Sequence, residues 1–137
     1  MPGRISGSVQ TLTQAGTRQI KANADLADLK GTVDGKQVAL SQPVRANALV
    51  SKDKAGMKFD LLDVSASFAN VNCTGAAENL KYSAAVDLAK LQSELGQFVD
   101  LGGYRMAGNI VETGQISIDP NRIAASGAAQ ISNLTIT

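Results

Sequence analysis

Apolar and polar residues alternate with a period of two along most of the chain, the pattern of strands that bury one face and wet the other. Ile5, Gly7, Val9 and Thr11 share one parity, and Ile20, Ala22, Ala24 and Leu26 form a second run. Asp34-Gly35, set between Val33 and Val38, predicts a hairpin with a type I′ turn, because both central residues of that turn need positive φ. Pro43 then marks an edge, a bulge or a strand start. Val44, Ala46, Ala48 and Val50 predict the next strand, and Lys52 to Gly56 a turn. A long return from Met57 to about Cys73 follows. Within it the phase changes at Leu61-Leu62: Met57, Phe59 and Leu61 are in step, and Leu62, Val64, Ala66 and Phe68 take the other parity. A β-bulge there would bend the strand and raise its twist.

Leu80, Tyr82, Ala84 and Val86 alternate again, and then the period changes. Leu88, Leu91, Leu95, Phe98 and Val99 recur at helical spacing behind Asp87, a residue suited to cap a first turn. The stripe predicts one short amphipathic helix around 88–99, ending at Gly96 or at Gly102-Gly103, and acting as a plug on one sheet face. Met106, Gly108 and Ile110 resume the alternation; Glu112-Thr113-Gly114 reads as a turn and Ile116 with Ile118 as the return. Asp119-Pro120-Asn121 is a strong turn signal before Ile123, Ala125, Gly127, Ala129 and Ile131, with Leu134 and Ile136 as a last pair. At least eight strands joined by short turns predict a mainly β fold: a curved antiparallel meander, as an open groove or half-barrel, with one helix.

Composition makes that sheet thin. The 137 residues are the length of one domain, here a single β-rich domain over 1–137, and the 44% apolar fraction comes with only 4% aromatics and much Ala. Small apolar side chains fit an extended layer better than a deep core. The chain starts within a few residues of one strand and ends on another, as a piece of a longer protein would.

Charge and reactive residues narrow the function classes. Thirteen basic residues face twelve acidic ones, giving a formal charge of +1, and the Lys52, Lys54, Lys58 group is interrupted by Asp53 and Asp60. That is not the clustered basic surface that captures nucleic acid. No window approaches the roughly 18 apolar residues of a spanning helix. Histidine is absent and Cys73 is the lone cysteine, so the commonest general base and the usual zinc ligands are missing. No catalytic set, metal site or cofactor loop is expected, and the chain reads as a non-enzyme. Asn72-Cys73-Thr74 and Asn133-Leu134-Thr135 match the N-glycosylation tripeptide, which arises often by chance.

One arrangement is familiar. A strand entering Val86-Asp87-Leu88, the helix Leu91-Gln92-Ser93-Glu94-Leu95-Gly96, and Gly103-Tyr104-Arg105-Met106-Ala107-Gly108-Asn109 opening a new strand resembles repeats of AsmA-like and TamB-like bacterial envelope proteins. The Ala-, Asn-, Asp- and Gly-rich alternation of 22–31 and 116–136 is similar. The resemblance implies a periplasmic β-groove in the envelope of a diderm bacterium, conducting phospholipid or serving outer-membrane assembly. It implies acyl chains and flanking β-segments of the parent protein as partners, and Val64, Ala66, Phe68, Leu80, Tyr82, Ala84 and Val86 as groove lining. Two other readings stay open from the residues: a structural or adhesive β-domain of a surface protein, and a small lipocalin-like barrel that encloses one ligand.

Overall fold

The computed structural model describes residues 3–137. The elements run β1 (Arg4–Gln14), β2 (Thr17–Ala27), β3 (Lys30–Val33), β4 (Lys36–Ala39), β5 (Val44–Asp53), β6 (Gly56–Ser65), β7 (Ala69–Ala76), β8 (Asn79–Asp87), α1 (Leu88–Leu95), β9 (Met106–Asp119) and β10 (Arg122–Ile136). Eight strands form one sheet in the order β1-β2-β5-β6-β7-β8-β9-β10, every neighbouring pair antiparallel, while β3 and β4 pair only with each other. The meander therefore follows chain order, interrupted by the β3–β4 hairpin at one position and by α1 at another. β1 and β10 each have a single neighbour, so the sheet is open rather than a closed, lipocalin-like ring.

Local chemistry explains the turns. Asp34 and Gly35 sit at φ 50° and 78°, the conformation that their sequence predicts. Ala15 and Gly16 adopt the same pair of signs, φ 48° and 80°, between β1 and β2. The phase change in β6 is a bulge at Asp60: Leu61 opposes Leu49 and Phe59 opposes Val50, so β6 carries one extra residue. The extra residue leaves Phe59 and Leu62 on the same side of the sheet. A second bulge, at Asn133-Leu134 in β10, lies opposite Gly108. Asn133 has φ 53° and Gly108 φ 128°, and a Cβ on Gly108 would stand 2.9 Å from the Ser132 carbonyl oxygen.

Three expectations are corrected. The run from Met57 to Cys73 is two strands, broken at Ala66–Phe68, where the Ala66 N–H donates to the Ala69 carbonyl. This turn contains neither Gly nor Pro and keeps the alternating phase, so only its tertiary partner, Glu94, distinguishes it from strand. Glu112-Thr113-Gly114 is not a turn: β9 passes straight through it, because Ala84, Ser83 and Tyr82 on one side and Ala129, Ala128 and Gly127 on the other hold it extended. The helix stops at Leu95, with the Gly96 N–H closing on Gln92: of the two expected ends the earlier, at Gly96, is the one found, so the expected extent to 99 is too long and Phe98 and Val99 lie in the turn beyond.

The chain exposes 9459 Å², against roughly 6,800 Å² for a compact monomer of this mass. Among the described residues no large side chain is fully buried, and Val38, Cys73, Leu80 and Leu88 are the only buried apolar ones. Cys73 and Leu80 sit mid-sheet with no second layer above them, so their burial comes from neighbours on their own face, which makes that face concave.

Candidate functional site: the apolar face of the sheet

Cross-strand register places the apolar parity of all eight strands on one side. Following one row, Val9 opposes Ala22, Ala22 opposes Ala48, Ala48 opposes Leu62, and the line continues through Cys73, Tyr82, Gly114 and Gly127. The next row runs Gly7, Ala24, Ala46, Val64, Val71, Ala84, Glu112 and Ala129. On the other side the corresponding row reads Ser8, Asn23, Asn47, Asp63, Asn72, Ser83, Thr113 and Ala128. A period of two, kept in register across every strand, thus makes a sheet with one apolar, concave side and one polar side. The bulge at Asp60 is what holds β6 in this scheme.

The apolar face is lined largely by Ala, Gly and Val, and its one aromatic in these rows is Tyr82. A Cβ on Gly114 would meet the Tyr82 ring at 2.7 Å, and one on Gly127 would collide with the phenol oxygen. The ring therefore lies across two glycines of adjacent strands, a site where no larger residue fits. Its hydroxyl donates to Oε1 of Glu112 at 2.7 Å, and this bond raises the phenol above its ordinary pKa. Burial pushes the Cys73 thiol upward too, which keeps it in the unreactive protonated form.

One end of the trough is closed by polar chemistry from α1 and the turn that follows it. Asp87 caps the helix, its carboxylate accepting from the Lys90 N–H at 3.0 Å. Leu88 is buried, and three polar side chains reach out to other elements. Glu94, only 6% exposed, accepts from the Ser41 N–H at 3.0 Å, from the Ser41 hydroxyl, and from the Ser67 hydroxyl at 3.1 Å. The Ser41 hydroxyl bond is the main cause that holds its carboxyl below the ordinary range; burial opposes the shift. Gln92 bridges the Tyr104 carbonyl and the Met106 N–H, fixing the start of β9. Gln97 pairs with both backbone groups of Ala39 at 3.4 and 3.3 Å, occupying the free edge of β4. A hollow of about 770 Å³ lined by Gln92, Leu101, Tyr104, Met106 and Thr135 adjoins this end.

Of the expected lining, Val64, Leu80, Tyr82, Ala84 and Val86 share the apolar face. Ala66 and Phe68 belong to the β6–β7 turn at its rim. The expected plug residues divide: Leu88 is buried, Leu91 is half-buried, Leu95 and Val99 are exposed, and Phe98 is half-buried past the helix end. The helix packs on β9 and β8 at the end of the sheet rather than along its middle. The stripe did not reveal Gln92, Glu94 and Gln97, because polar residues on a short helix and in the turn after it read as solvated, and their partners lie 12 to 58 positions away in the sequence; Ser41 and Ser67 carry no signal of their own. Glu112 lies in the phase of the apolar row, but the turn read at 112–114 hid its place on the sheet. Among the described residues no helix is long and apolar enough to cross a membrane, and no group of acidic, Cys or His side chains could hold a metal ion. No protein-family model, curated protein or solved structure matches the chain.

Proposed function

We propose that the chain is a segment of an AsmA/TamB-like β-groove protein of the bacterial periplasm, carrying phospholipid acyl chains along its concave face in lipid transport or outer-membrane assembly. The observation that supports this reading is the apolar face shared by eight strands, interrupted at Glu112 and with no protein layer on it. Small side chains leave a shallow, smooth trough, and acyl chains need only apolar area without directional partners. Val64 and Val71, adjacent on that face, remain 37% and 39% exposed, a surface suited to contact with a mobile apolar ligand. The Ser-, Asn- and Thr-rich opposite side would meet water. Such a segment would act through its surface, with no residue doing chemistry.

The test is lipid retention. Purified protein, analysed by native mass spectrometry and by lipid extraction, is expected to carry phospholipid, and Val71→Lys, which sets a charge mid-trough, is expected to lose it while keeping the far-ultraviolet dichroism of the parent. Absence of lipid from the parent protein would defeat the reading and leave a structural or adhesive role for the sheet.

A further inference from the structure

We propose that Glu112, seated by Tyr82, binds the protonated amine of an amphiphile, so that the trough holds the head of an amine-bearing lipid beside its tail. The inference rests on the reading of the trough as an acyl-carrying surface. Glu112 stands in the apolar row between Ala84 of β8 and Ala129 of β10. The rows on either side of it carry no charge: one runs through Tyr82, Gly114 and Gly127, the other through Val86, Ile110 and Ile131. The carboxylate is half-buried, and the Tyr82 hydroxyl donates to its Oε1 at 2.7 Å. Among the described residues no cation lies within ion-pair distance of it, and Oε2 has no protein donor. A carboxylate set among apolar groups is costly until it is paired.

The missing partner is a cation that donates hydrogen bonds. A primary ammonium carries three N–H donors, one of which suits Oε2. The Tyr82 ring lies against Gly114 and Gly127, and the sheet has no layer over its other side. An ammonium beside Glu112 therefore also meets the electron-rich face of the phenol. Ala84 and Ala129, the direct neighbours of Glu112, leave space for a head that larger side chains would fill. Val71, two strands away in the same row, and Ile110, two residues along β9, offer apolar contact for the tail within about 5–10 Å. Seating Tyr82 alone would need only an acceptor, which a neutral amide supplies. The charge is what selects the ligand: Glu112 repels an anionic head, and a neutral head leaves it unpaired.

Three amphiphiles with one tail and different heads, decylammonium, decanol and decanoate, test this by equilibrium dialysis at neutral pH below their micelle concentrations. The parent is expected to bind decylammonium about tenfold more tightly than decanol, and decanoate most weakly. Glu112→Gln keeps an acceptor for the Tyr82 hydroxyl and is expected to bring the three within about threefold of one another. Glu112→Lys is expected to reverse the order, with decanoate bound most tightly. Unchanged melting temperatures verify folding of both variants. Equal affinity of the parent for the three heads overturns the proposal, as does an ammonium preference that survives in either variant. Ethylammonium, the head without the tail, is expected to bind at least about tenfold more weakly than decylammonium. Equal binding of the two would overturn an amphiphile as the ligand. If no probe binds the parent, the acyl-carrying reading fails and this inference with it, whereas equal binding of the three heads defeats the choice of head alone.

Discussion

The middle and the margins of this sheet share one sequence pattern and differ in everything that neighbours supply. In β8, Leu80 is 3% exposed, flanked by Gly75 and Ile116 and closed in by the curvature of the sheet. In β1, Ile5 has the same parity and a similar side chain, yet it has a neighbour on one side only and stays in water. Burial in a single-layer sheet comes from lateral neighbours and curvature, so it falls away toward each edge however apolar the edge residues are. The α1 end is different again, since polar groups hold it together.

The contrast is open to measurement. Leu80→Ala should remove about 2–3 kcal/mol of stability in denaturant melts, the lower part of the range for a buried leucine because the site opens to the trough. A loss below about 0.5 kcal/mol would show that the middle is as loose as the margins. Glu94→Ala should cost about 1.5–3 kcal/mol by leaving Ser41 and Ser67 without their charged acceptor.

The pH dependence of that contact has a definite sign. The folded carboxyl titrates below its unfolded value, so its contribution is fully present above the ordinary carboxylate range and is lost as pH falls through the folded value. Thermal melts of Glu94→Gln should therefore lose less stability on acidification than those of the parent, and parallel curves for the two would remove Glu94 from the account. Gly114→Ala should destabilise by about 1–3 kcal/mol through collision with the Ser126 carbonyl and the Tyr82 ring.

At the margins the effects shrink. Ile123→Ser should change monomer stability by no more than about 0.5 kcal/mol, read in the same melts. Smallest of all, in a Tyr104→Phe background, ultraviolet titration of Tyr82 should shift downward when Glu112→Gln removes the charge that its hydroxyl faces, with no need for the fold to change.

Much of this architecture was legible in the residues. Strict alternation identified the strands, Asp34-Gly35 the hairpin, Asp87 the helix cap, and the phase change near Leu61 the bulge. The turn at Ala66–Phe68 was hidden, because it keeps strand phase and is held by Glu94 from the helix. The continuity of β9 through Gly114 was hidden for the opposite reason: a local turn signal is overruled by partners on both sides. For the trough, the sequence identified Val64, Leu80, Tyr82, Ala84 and Val86, whereas the seating of Tyr82 over Gly114 and Gly127 depends on strand order.

By itself, then, the sequence determined that each strand has an apolar and a polar side, since side-chain direction alternates with the backbone and needs no partner. The tertiary structure alone decided that eight such sides face the same way, that β1 and β10 stay apart, and that Gln92, Glu94 and Gln97 close one end. Register, curvature and long-range hydrogen bonds join residues far apart in the chain, and no local period encodes which of them will meet.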